Sequence, residues 1–211
     1  MIWCIDAHVR GTNPYEHIFR NGAYDVLAHS TKDYVKESHH RWLPNCSDPS
    51  LVKKIDGIQK VHPIGFCGNH VTPIRKATVD TLSRIFGMKQ DIFVIGDEMV
   101  KAINSYRIHF NMNIANDINY RSFETLACET VLLTNYNRQY EELGFANGEN
   151  CFFYADQTDL IRVVNTLLNR VKEGDLSMNQ VAINGGMLFR DRHTFLNRAK
   201  QIASMAWGNQ Q

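Results

Sequence analysis

From residue 61 to residue 171 the chain alternates short apolar runs with longer amphipathic stretches, and this alternation constrains its fold more than any other feature. Continuous apolar runs suit strands buried on both faces, and apolar positions at helical spacing suit helices packed against them. Strands are predicted over 63–67 (PIGFC), 92–95 (IFVI), 107–112 (RIHFNM), 131–134 (VLLT) and 151–154 (CFFY), with 92–95 fully buried. Pro63 can sit only at a strand start or on an edge. Thr72 followed by Pro73 is a helix-start signature, and Ile74, Val79, Leu82, Ile85 and Phe86 recur at helix spacing up to Gly87. Shorter helices are expected over 98–105, 121–128 and 140–143. Asp156 and Asp159 form an acidic capping box before the stripe Leu160, Val163, Val164, Leu167, Leu168 and Val171, which Gly174 ends. A turn or two of helix over 178–183 and a closing helix over 191–205 complete the pattern. Strands alternating with helices imply an α/β fold, an open parallel sheet with helices on both faces. Such sheets bind ligands outside the carboxyl ends of their strands.

Ahead of this unit, 1–5 and 24–29 read as two strands, and Ser30 can start a helix through Tyr34 and Val35. The segment RWLPNCSDPS is turn-rich and reads as a hinge or linker. The domain reading is therefore a partial amino-terminal segment over 1–45, a linker over 46–60, a ligand-binding α/β domain over 61–190 and a carboxyl-terminal helix over 191–211. A formal net charge of +1 excludes a strongly basic surface, so nucleic acid is not an expected partner. No 18-residue apolar run or signal-peptide pattern occurs, and five cysteines without a C-x-x-C read as buried thiols in a reducing, cytoplasmic setting.

Three constellations fall at strand ends. In GFCGNHVTPIR, Gly65 and Gly68 allow close backbone approach. The helix start behind Thr72 offers N–H groups to an anion. Arg75 in the first turn is electrostatically disfavoured unless something negative is near, and a diphosphate would supply that. The same residues also read as a glycine turn and an exposed arginine. In NMNIANDINYRSFE, Asp117, Arg121 and Glu124 can lie together, with a carboxylate for ribose hydroxyls and a guanidinium for phosphate, or as a self-satisfied surface network. In IDAH, Asp6 and His8 share a side, and His8 can move a proton or be structural. The nine histidines show no metal-ligand spacing, and the adjacent His39–His40 pair reads as an exposed loop. Cys128 reads as packing.

The strings RSFETLACETVLLTN, FANGENCFFYADQTDLIRVVNTLL and RHTFLNRAKQI resemble the carboxyl-terminal, Rossmann-like domain of the two-domain (GT-B) glycosyltransferases, closest to the group related to spore-maturation protein CgeB. Upstream, WCIDAH, YDVLAHSTKDYV and WLPNCSDP are similar to the end of the amino-terminal domain and the linker.

The resemblance implies a glycosyltransferase that takes a UDP- or GDP-sugar donor and a glycosyl acceptor, with no tightly bound cofactor or metal. Glu124 matches the ribose-binding carboxylate. Asn116 and Asp117 match the acidic position that contacts the donor sugar. Gly68, Asn69 and Arg75 match the diphosphate loop and first helix. Arg121 supports the pyrophosphate or Glu124, and Asn135 and Tyr154 fall near the donor pocket. His8, with Asp6, matches an active-site histidine. His193 and Arg198 are expected to be structural. Glu129 stands where the family usually has glycine, changing a turn or crowding the donor. At most 60 residues precede the second domain, so a fragment, a reduced form or a chain needing a partner is expected, with dimerisation through a two-strand stub as one route. A non-catalytic nucleotide-sugar-binding or structural role is the alternative.

Overall fold

The structure is a computed structural model describing residues 1–5, 13–22, 24–70 and 72–207. Two parallel sheets form. The first has order β1-β2-β3, from β1 (Ile2–Cys4), β2 (Leu27–His29) and β3 (His40–Trp42), with helix α1 (Asn13–Asn21) between β1 and β2. The expected two-strand stub is thus three-stranded. The helix expected from Ser30 is only a 3₁₀ turn, Lys32–Tyr34.

The second sheet has order β5-β4-β6-β7-β8, all parallel, from β4 (His62–Gly68), β5 (Lys89–Ile92), β6 (Tyr106–Asn111), β7 (Val131–Asn135) and β8 (Phe152–Tyr154). Its helices are α2 (Pro73–Phe86), α3 (Gly96–Ser105), α4 (Tyr120–Ala127), α5 (Arg138–Glu142), α6 (Gln157–Lys172), α7 (Ser177–Arg192) and α8 (Phe195–Trp207). Alternation along β7 sends Val131 and Leu133 to one face and Leu132 to the other. One face packs Ile64, Ile108 and Phe110 on Val79 and Leu82 of α2 and on the α6 stripe. The opposite face packs Leu132 on Ile103 of α3 and on Phe123 and Leu126 of α4.

The helix boundaries follow the local chemistry. Thr72 accepts from the Arg75 amide at 3.3 Å, Pro73 opens α2, and Gly87 closes it at φ 66°. Asp156 accepts from the Asp159 amide at 2.9 Å, and the Asp159 carboxylate accepts from the Ala155 amide at 2.9 Å. Pro63 lies near the start of β4, before the pairing with β5 begins at Gly65. Gly65 serves packing rather than ligand approach, because a Cβ there would lie 2.4 Å from the Tyr106 ring.

Four expectations are corrected. IFVI is not a buried strand: β5 ends at Ile92, Phe93 takes a left-handed φ of 59°, and Phe93 and Ile95 are 77% and 79% exposed. His40 is not in an exposed loop. It belongs to β3 and is 5% exposed, because β3 pairs with β2. The segment RWLPNCSDPS is anchored rather than a hinge: Asn45 Nδ2 donates to Ile118 O at 3.0 Å, and the Ser47 amide donates to His193 O at 3.2 Å. The helix expected as a turn or two over 178–183 runs on as α7 to Arg192, and the closing helix starts at Phe195 rather than 191, the break falling at His193 and Thr194. There Arg198 donates to Pro44 O at 2.7 Å and Asn45 O at 3.0 Å, tying α8 to the linker.

Candidate functional site

After β4 the chain crosses to one face of the sheet as α2, and after β6 to the other as α4. Neighbouring strands whose helices diverge leave a crevice at their carboxyl ends. A cleft of about 520 Å³ opens there, lined by Gly68, Asn69 and Arg75 from the β4–α2 side and by Asn119, Arg121 and Glu124 from the β6–α4 side. Five of the residues singled out from the sequence therefore share one surface.

Arg75 bridges the two sides. Its Nη2 donates to Met112 O at 2.6 Å, across the crevice from α2 to the loop after β6. Its Nε is buried with no hydrogen-bond partner, and no carboxylate pairs with it among the described residues. Burial pulls its pKa below the usual arginine range, with the nearby Tyr154 opposing that shift. A desolvated guanidinium beside the amino terminus of a 14-residue helix is a site of positive potential.

Arg121 and Glu124 lie one turn apart on α4 and form an ion pair. Arg121 also donates from Nε to Cys67 O at 2.9 Å, which fixes the end of β4. The guanidinium is thus engaged with protein groups. Glu124 keeps part of its carboxylate facing the cleft.

The other candidates lie elsewhere. Asp117 is buried and accepts from Thr31 Oγ1 at 2.9 Å, and Asn116 donates to Asp33 at 2.7 Å. Both residues join the two sheets instead of lining the cleft, because the 112–119 loop folds toward the first sheet. Asn135 receives the Asn113 amide at 2.7 Å and pins that loop. Tyr154 is buried beside Phe110, the two rings tilted by 30° with centroids 5.9 Å apart, and burial raises its pKa; it does not line the cleft. Asp6 and His8 lie outside the described residues. Glu129 sits at φ 46°, the conformation glycine favours, and turns its carboxylate to Lys54 and Arg190, so it does not enter the cleft. His193 and Arg198 are structural: His193 donates to Leu143 O at 2.8 Å, and Arg198 donates to His193 Nδ1 at 2.9 Å.

The sequence reading missed two features. The exposed Phe93 and Ile95, with Gly96, add an apolar wall to the cleft, hidden because the run looked like a strand. A buried polar network also lies beneath the loop. Asn113 donates to the Tyr140 hydroxyl at 2.7 Å, and that hydroxyl meets Ser122 Oγ at 2.7 Å. The density of asparagine in 111–119 is the signal that could have revealed it. All five cysteines are buried, and burial lifts Cys67 to about 11 and Cys128 to about 12, so neither is a thiolate at neutral pH.

The sequence pattern of the glycosyl transferase-like family matches residues 75–204. No curated protein matches the chain significantly. Among solved structures, HepE from Anabaena in complex with UDP and glucose superposes with a TM-score of 0.72 at 13% identity, over 94% of this chain and 68% of that one. A glycosyltransferase from Rickettsia africae gives 0.70 at 10% identity, over 95% and 68%. Sucrose-phosphate synthase from Thermosynechococcus elongatus gives 0.64 at 10% identity, over 95% and 62%. This chain thus spans about two thirds of the length of these proteins and shares the GT-B fold. With the family pattern covering more than half of its residues, the chain belongs to the glycosyl transferase-like family.

Proposed function

We propose that the chain binds a nucleoside diphosphate sugar in the β4–β6 crevice and transfers the glycosyl group to an acceptor hydroxyl. The observation that carries this reading is the convergence of Gly68, Asn69, Arg75 and Glu124 on one cleft, with an unpaired, desolvated guanidinium at a helix amino terminus. The diphosphate lies against Arg75, Asn69 and the first turn of α2. The ribose hydroxyls donate to Glu124, and the base rests on the apolar wall of Phe93 and Ile95. The UDP of the HepE complex is the model for such an occupant.

In the reaction the bond from the sugar carbon to the diphosphate oxygen breaks, and the acceptor oxygen bonds to that carbon. Negative charge grows on the departing diphosphate, where Arg75 and the α2 amino terminus stabilise it, an electrostatic contribution typical of such enzymes. The acceptor proton passes to a base, for which His8, with Asp6, is the candidate. The kinship with the CgeB-like group rests on Arg121, Phe123 and Glu124 together with His193, Thr194 and Arg198.

Calorimetric titration with UDP, GDP and their sugars tests the reading. One nucleotide is expected per chain, and Glu124→Ala weakens it. Binding of no nucleotide overturns the proposal. Binding without release of diphosphate nucleotide in the presence of acceptors leaves a nucleotide-sugar-binding module.

A further inference from the structure

The first sheet carries a cluster that the transferase reading does not use. Glu16 of α1 and Phe19, one turn later, face the sheet together. The Phe19 ring stacks on His39 at 4.4 Å and 8°, which places the Glu16 carboxylate over the His39–His40 pair. Glu16 Oε1 lies 2.7 Å from His40 Nε2, and Glu16 Oε2 lies 3.7 Å from His39 Nε2. One ligand-capable atom from each of these three residues falls within 4.8 Å of the others. His29, at the end of β2, is fully buried, with its ring 4.6 Å from that of His40.

The hydrogen bonding of the cluster is incomplete. Buried polar atoms are almost always paired, and each exception needs an explanation. Ten buried side-chain nitrogens and oxygens lack a partner among the described residues, and four of them are here: Glu16 Oε2, His39 Nε2 and both ring nitrogens of His29. Arg20 Nε is 3.8 Å from Glu16 Oε2, but its side chain is mostly solvated and makes no hydrogen bond to it. His40 Nε2 is hydrogen-bonded to Glu16 Oε1 at 2.7 Å, and its Nδ1 lies 2.9 Å from Tyr34 O and 3.2 and 3.4 Å from the Lys36 and Glu37 amides. A backbone carbonyl on the far nitrogen is also the outer contact that metal-bound imidazoles make.

We propose that Glu16, His39 and His40 bind a divalent transition ion of the zinc type, with His29 in the fourth position. Imidazoles and one carboxylate are a donor set for zinc, and four such ligands close a tetrahedral structural site. The ion fastens α1 to β2 and β3, where the apolar core is small. Its role is structural, since none of these residues lines the nucleotide cleft.

The test is Zn²⁺ titration of the chelator-treated chain against a chromophoric chelator, with Co²⁺ as a spectroscopic probe and circular dichroism as a check on folding. One Zn²⁺ per chain and a tetrahedral Co²⁺ spectrum are expected. Glu16→Gln and His39→Gln, both at partly buried positions, weaken Zn²⁺ about 100-fold or more, at or beyond the range seen for outer-contact changes, and His29→Gln weakens it about tenfold or more. His17→Gln, on the solvent side of the same helix, leaves it unchanged. No Zn²⁺ uptake, no tetrahedral Co²⁺ spectrum, or unchanged affinity in folded Glu16→Gln and His39→Gln overturns the site. Unchanged affinity in His29→Gln alone removes His29 from it.

Discussion

The two sheets are built from the same parallel βα units but are stabilised differently. The five-stranded sheet is covered on both faces, and its strands contribute fully buried Ile64, Ile108, Phe110, Leu132 and Leu133. Among the described residues, the strands of the three-stranded sheet bury only Cys4, Leu27 and the small Ala28 as apolar residues, with Ile2, Tyr15, Phe19 and Tyr34 partly buried around them. Its remaining contacts are directional: Trp3 Nε1 donates to Leu43 O at 3.0 Å, Trp42 Nε1 to Ser30 O at 3.1 Å, and Thr31 to Asp117. Apolar stabilisation grows with buried area, so a small sheet gains little of it and depends on polar contacts to a larger body. The large sheet presents the cleft, and the small one is held in place by residues that on spacing alone looked like part of the cleft.

The largest expected difference is in core truncation. Phe110→Ala should cost about 3–5 kcal/mol in urea denaturation and abolish UDP binding, because Phe110 precedes the end of β6 that frames the cleft. Leu27→Ala should cost about 2–3 kcal/mol and leave UDP binding intact. Equal loss of binding in both would erase the distinction between the sheets.

Acid should act next most strongly, and through both sheets, since burial, followed by the neighbouring His40, also lowers His29 of β2 to about 4. Burial, followed by the nearby Arg121, lowers His109 to about 3, and burial, followed by Arg198, lowers His193 to about 4. Both are neutral in the fold, while the unfolded chain takes up their protons near pH 6.5. Stability is therefore full above about pH 6.5 and falls as pH drops toward 4, by about 1.4 kcal/mol per histidine per pH unit at most. His109→Asn should flatten that slope in denaturation at pH 4–7, and a flat profile in the unsubstituted chain would refute the account.

In the cleft, Arg75→Ala should weaken UDP by about 10–100-fold, the cost of a charged hydrogen-bonding partner. Asp117→Asn should lower stability by about 1 kcal/mol and change UDP affinity by less than about twofold. The reverse pattern in calorimetry would return Asp117 to the donor pocket. The smallest effect belongs to Lys32→Ala. The Lys32–Glu142 pair between the sheets is solvent-exposed and should contribute under about 1 kcal/mol to stability, read by thermal denaturation.

Much of the large sheet was legible because its signals are local. Thr72, Pro73 and Gly87 bound α2, and Asp156 caps α6, by hydrogen bonds spanning three or four residues. IFVI misled because composition cannot distinguish a buried strand from an apolar loop. The left-handed turn at Phe93 depends on where β5 leaves the edge of the sheet. His40 misled for the converse reason: a polar pair looks solvated until its strand is paired. In the candidate site, Gly68, Asn69, Arg75 and Glu124 were legible as residues at strand ends, whereas Asn116 and Asp117 were not separable from them.

By itself, then, the amino-acid order determined the periodicity, the caps and the placing of polar residues after strands, since these depend on neighbours a few positions away. The tertiary structure alone decided that Arg75 faces Glu124 across a crevice, that Asp117 meets Thr31 from 86 positions earlier, and that Glu16 lies over two histidines. Those pairings join distant segments, and which polar groups meet is set by how the helices and loops pack, which no local pattern encodes.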